Sequence, residues 1–125
     1  MTETSVIDAQ ALDRLRAWGG ERLAAQMVRL FLKNSGGRMD QIRLGVARSD
    51  YVEAERGAHS LKSSAAYVGA EQLRTLAAHM EGAAVDGQQD LLGALLPQIE
   101  AAYAAVVGEL ESLDQSSPDG LMDEV

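Results

Sequence analysis

Apolar positions along this chain recur at steps of three and four, the spacing of helices that bury one face. Ile7-Asp8-Ala9-Gln10-Ala11-Leu12 reads as a helix start. Asp8 can cap the exposed amides there, and Ile7 and Leu12 occupy the two positions of a hydrophobic staple. This helix is short and ends by Trp18-Gly19-Gly20, with Trp18 read as a core-edge anchor. A second begins near Glu21 and carries Leu23, Met27, Leu30, Phe31, Ile42 and Val46 on a broad stripe. Gly36-Gly37 interrupts it at about 1 kcal/mol per glycine relative to alanine. The apolar phase resumes without a run of polar residues, so a continuous but bent helix is expected. Ser49-Asp50 closes it and caps the next.

The third helix, from about Asp50 to Tyr67, places Ala54, Ala58, Leu61, Ala65 and Val68 on one buried face, and Gly69 ends it. At roughly 100° per residue, His59 falls about 140° from the centre of that face. It therefore points at solvent, with Lys62 three residues on and Ser63 four. An imidazole so placed can take on negative charge and have it stabilised by the cation and hydroxyls beside it. A fourth helix, Ala70 to Ala84, turns Leu73, Leu76, Ala77 and Met80 inward, and Asp86-Gly87-Gln88 reads as a turn. The fifth, about Gln89 to Leu113, carries Leu92, Leu95, Leu96, Ile99, Tyr103, Val106 and Leu110 inward. Pro97 should kink it. Residues 114–125 are polar, acidic and broken by Pro118 and Gly120, and a mobile, disordered C-terminal tail is expected there. The expected architecture is all-α: an antiparallel four-helix bundle over 1–113, with an additional short N-terminal helix capping one end.

Composition agrees with helices. Of the 125 residues 46% are apolar but only 4% aromatic, and strands draw on aromatic and β-branched residues. A balance of 11 basic against 19 acidic residues, net −8, argues against a nucleic-acid partner. The absence of cysteine excludes disulfides and thiolate metal sites. No uninterrupted apolar run approaches the ~20 residues of a membrane span, and no basic-then-apolar leader opens the chain. A soluble, cytoplasmic monomer is expected, and Met1 with the polar tail fits a free-standing protein. His79 has no motif around it and reads as structural or solvated. A metal pair of His59 and His79 lacks the inward glutamates of bundle metal sites.

The run His59, Leu61, Lys62, Ser64, Ala65, Gly69, Ala70 resembles the signature of histidine-containing phosphotransfer (HPt) domains, which place His-x-Leu-Lys-Gly-Ser and a later Gly-Ala on one bundle helix. The similarity extends over roughly residues 6 to 113, through Ile7-Asp8, Leu12, Leu15, the Leu30-Phe31-Leu32 run, Leu73 and Leu76. The resemblance implies that His59 is the phosphoacceptor and that Lys62 neutralises the phosphoryl oxygens. Glu81 reads either as a surface acid or, through the resemblance, as the partner that orients the imidazole. Where the family has glycine four residues after the histidine, this chain has Ser63. Its hydroxymethyl group either crowds docking or offers the phosphate a further hydrogen bond. Ser64 serves packing or a local hydrogen bond, and Gly69 the helix turn.

The implied partners are response-regulator receiver domains and a hybrid sensor kinase, docking over Glu55, Arg56, Ser60, Lys62, Ser63 and Ala66. The chain has no nucleotide loop and no metal cluster, so no cofactor of its own is expected. Magnesium would come with the receiver, and the domain would be a carrier and not an enzyme. A second reading, a helical adaptor or inhibitor that binds such partners without transfer, draws its weight from Ser63.

Overall fold

The local signals at residues 5–8 and at the helix ends determine how the chain enters the bundle. The computed structural model describes residues 5–116, with side chains through residue 114. Four helices follow in order: α1 (Ala9–Arg48), α2 (Tyr51–Val68), α3 (Glu71–Val85) and α4 (Gln89–Ser116). Asp8 caps α1 by accepting from the Gln10 amide, and Asp50 caps α2 by accepting from that of Glu53. Ile7 and Leu12, the staple pair, are both buried. Glu109 of α4 ties down the entering chain, accepting from the Val6 amide at 3.0 Å and bonding the Ser5 hydroxyl.

The connections are only two or three residues long, which forces successive helices to run antiparallel. α1 packs on α2 and α4, and α3 packs on the same two, so the bundle is square in section. Its centre is aliphatic: Met39 and Ile42 of α1, Leu61 of α2, Leu73 and Met80 of α3, Leu92 and Ile99 of α4 are sealed from solvent. Ser35, a buried polar side chain, shares a 2.9 Å hydrogen bond with the Tyr103 hydroxyl, which satisfies both.

Residues 9–19 and 21–48, numbered together as α1, are two helical stretches that meet at a kink at Gly20, where the sequence places the end of the short first helix; the φ of 75° there is a value that glycine adopts without steric cost. Two expectations need correction. Trp18 is not a core-edge anchor, since it is 83% exposed. Leu30, placed on the buried stripe of α1, is also exposed.

Beyond Gly20 the backbone of α1 stays helical through Gly36-Gly37. α4 continues through Pro97 and past the expected end at Leu113 to Ser116; the rest of the expected tail, from residue 117, lies outside the described residues. By length and composition alone, Gln89–Asp114 is apolar enough to cross a membrane. Here the Leu92, Leu95, Ile99, Val106 and Leu110 face of that helix is buried in the bundle core.

Candidate functional site

Burial of one face of α2 sets the direction of the opposite one. Ala54, Ala58, Leu61 and Ala65 are sealed from solvent, and His59 consequently projects outward with 59% of its side chain exposed. The α2–α3 hairpin then determines what stands beside it. Gly69 caps α2 at φ 76°, its amide and that of Ala70 closing the last carbonyls, and α3 starts directly. His59 lies ten residues before Gly69 and Glu81 eleven after Ala70, which puts them at equal depth on neighbouring antiparallel helices.

Glu81 reaches the imidazole. Its Oε2 lies 2.8 Å from His59 Nδ1, and its Oε1 lies 2.7 Å from Lys62 Nζ. The carboxylate is only 18% exposed, yet the Lys62 ammonium bonded to it holds its pKa below the usual value. Partial burial opposes that shift, and the bond to His59 reinforces it. An ionised carboxylate can only accept, so the Nδ1 it meets must carry the proton. In the neutral ring the lone pair then resides on Nε2, which among the described residues has no hydrogen-bond partner.

The serines beside the ring point back to their own helix. Ser63 Oγ donates to the His59 carbonyl at 3.3 Å and Ser64 Oγ to the Ser60 carbonyl at 3.0 Å, the i to i−4 bond common for hydroxyls inside helices. Of the remaining residues expected at the surface, Arg56 and Ala66 are exposed, while Glu55 and Ser60 are half-buried. Arg56 lies 3.8 Å from Glu53 in a loose ion pair. His79 is exposed on α3.

Two surface features beside His59 were not anticipated. An apolar groove between the first turns of α1 and the end of α2 is lined by Ala11, Leu15, Trp18, Ala66 and Tyr67, with Arg14 and Ser63 at its edge. A polar groove on the α1 side of His59 includes Asn34, Gly37 and Arg38. Ser63 borders both. The i, i+4 spacing of Asn34 and Arg38 was visible, but nothing local connects it to residues 59–64. That connection comes from the register of α1 against α2.

Similarity to known proteins follows the same lines. No curated protein is significantly similar to the chain in sequence. Among solved structures, the histidine-containing phosphotransfer protein B (HptB) from Pseudomonas aeruginosa PAO1 shares the fold, with a TM-score of 0.84 at 22% identity. The match covers 92% of this chain and 99% of that one. The family model described as Hpt domain matches residues 26–115, which include all of α2, α3 and their junction. With its exposed, carboxylate-bonded histidine on α2, the chain belongs to the Hpt domain family, the histidine phosphotransfer domains of two-component relays.

Proposed function

We propose that His59 accepts a phosphoryl group from the phospho-aspartate of a receiver domain, or from a kinase, and passes it to another response regulator. The observation that carries this reading is the Nδ1 to Glu81 bond, which leaves an exposed Nε2 as the nucleophile. In the forward step the Nε2 lone pair forms a bond to phosphorus. The acyl phosphate P–O bond breaks, and its electron pair leaves with the aspartate carboxylate. The Nδ1 proton stays in place, and the positive charge gained by the ring faces the Glu81 carboxylate at 2.8 Å. Passing the group onward is the same sequence reversed.

Lys62, held close by its bond to Glu81, offers one cation to a phosphoryl group whose charge approaches −2. Ser63, with a rotatable hydroxyl beside the ring, is the second phosphate-stabilising group. Such transfer depends on placement and charge neutralisation more than on covalent help. The chain contributes the acceptor, and the receiver brings its aspartate and magnesium. It acts as a carrier that needs no cofactor of its own, in the cytoplasm where receivers and hybrid sensor kinases present their domains. Docking uses the strip of Glu55, Arg56, Ser60, Lys62, Ser63 and Ala66, and continues over Trp18 and Tyr67 into the apolar groove that shares Ser63.

The test is direct. Incubation with a phosphorylated receiver should leave acid-labile, base-stable phosphate on His59, and the His59→Gln chain should take none. Failure to exchange phosphate with any receiver of the same organism sinks the proposal.

A further inference from the structure

His59 stands on α2 between two neighbours, and its α1 side has a chemistry of its own. There Ser60, Ser63 and Ser64 face Asn34, Gly37 and Arg38 across a shallow groove that the imidazole borders. α1 comes this close because Gly57 has no side chain. A Cβ at that position would lie 3.0 Å from the Arg38 carbonyl oxygen. The groove itself is open, since a Cβ on Gly37 would meet nothing within 4 Å.

Donors in this groove are unevenly committed. The Ser63 and Ser64 hydroxyls already donate to backbone carbonyls of α2. Arg38 makes only a long contact, 3.5 Å to the Gln41 side chain, and meets no carboxylate among the described residues. Arg14, Arg22, Lys33 and Arg48 likewise meet no acid among the described residues, whereas Arg16, Arg29, Arg43, Arg56, Arg74 and Lys62 each pair with one; what sets Arg38 apart is that it lines the groove bordered by His59. Lys62, the other cation beside the ring, is held by Glu81 at 2.7 Å.

We propose that Arg38 is the second cation of the phosphoryl site, binding the non-bridging oxygens of the group on Nε2 from the α1 side, with the Asn34 amide as an adjacent donor. The inference rests on His59 being the phosphoacceptor and deepens that reading. A guanidinium suits the task because its planar fork meets two phosphoryl oxygens at once. It also supplies charge that is not already shared with Glu81.

The consequence concerns how long the loaded state lasts. In hydrolysis a water oxygen bonds to phosphorus, and the P–Nε2 bond breaks with its electron pair going to the ring. Both water hydrogens leave with inorganic phosphate. The transition state is loose, so negative charge drains from the phosphoryl oxygens toward the ring. A cation held on those oxygens therefore stabilises the loaded state more than the transition state. Arg38 is a positioning residue that protects phospho-His59 from water.

The full chain can be loaded without any receiver by potassium phosphoramidate, whose P–N bond breaks to release ammonia as the P–Nε2 bond forms. Decay is then followed by phosphorus NMR. Arg38→Ala should lose phosphate about three- to fivefold faster than the native chain, the range open to an exposed charge contact. Arg38→Lys should fall between them. The Arg38 Nε–H resonance should shift on loading the native chain and stay fixed in His59→Gln. An unchanged lifetime in Arg38→Ala, or an unmoved resonance, overturns the proposal, even if receiver binding weakens. A native chain labelled by phosphoramidate but by no phosphorylated receiver overturns the carrier reading instead, and leaves the Arg38 comparison readable.

Discussion

Glu81 is bonded through both carboxylate oxygens, and the two bonds have different consequences. The bond to His59 fixes which ring nitrogen carries the proton. The bond to Lys62 is the larger cause of the lowered carboxyl pKa, and so keeps the group ionised and able only to accept. The sign of the pH effect follows. A folded-state pKa below the reference value of 4.5 means that the stabilisation is fully present above that pH. It is lost only as the pH falls further, through the folded value. The Glu81 carboxyl carbon shift should therefore titrate below pH 4.5 in the native chain. Lys62→Ala should move that midpoint upward, and by more than His59→Gln does. A midpoint that ignores Lys62→Ala would show that the lysine does not control the carboxylate. Under the proposed function Lys62 would thus have two roles: before transfer it would secure the acid that orients the nucleophile, and afterwards it would face the phosphoryl group.

At the scale of elements, the α2–α3 junction sets the depth at which His59 and Glu81 meet. Gly69 is doubly constrained: its φ is 76°, and a Cβ would lie 2.6 Å from the Asp8 carbonyl oxygen, whose residue donates its amide to the Gly69 carbonyl at 2.7 Å. Gly69→Ala should cost about 2–4 kcal/mol, from left-handed strain plus the clash with the entering chain. The loss would appear as a lower urea midpoint at unchanged slope. Gly82→Ala in α3 is the matched control. It is helical with open space around it, so the same change should stabilise by about 0.5–1 kcal/mol.

Such junctions are legible in sequence because they are local. Asp8, Asp50 and Gly69 announce their caps, and the spacing of Ala54, Ala58, Leu61 and Ala65 turns His59 outward without any tertiary information. The approach of α1 to α2 is different. It depends on Gly45 and Gly57, where a Cβ would lie 2.6 Å from the Ala54 nitrogen and 3.0 Å from the Arg38 oxygen. No periodicity encodes that register, so Arg38 and Asn34 could not be assigned to the site beforehand. Trp18 escaped for a related reason. Tryptophan is highly buried on average, but here it lies two residues before the kink at Gly20 and is exposed.

Over the whole molecule, charge and apolar surface are distributed unevenly. The chain carries −8 overall, yet Arg14, Arg38 and Lys62 all border the ground around His59. A partner that brings an aspartyl phosphate is anionic at its active site, so these cations favour approach at this face and add register more than affinity. Affinity needs an anchor, and the most exposed large apolar side chain in the described structure, Trp18, stands with the 59% exposed Tyr67 at the groove that shares Ser63 with the histidine surface. Aromatic side chains in such a position commonly carry much of an interface's binding energy. Trp18→Ala should therefore weaken receiver association by about thirtyfold in titration calorimetry, the ~2 kcal/mol of a central aromatic anchor. The substitution should leave the urea midpoint nearly unchanged, because little of the side chain is buried on folding. Loading of His59 by phosphoramidate should also be unaffected, since the small donor has no use for the groove. A Trp18→Ala chain that binds receivers as tightly as the native one would restrict docking to the α2 strip itself. Loss of affinity with intact chemical loading would separate recognition, held by the first turns of α1, from the chemistry held by α2 and α3.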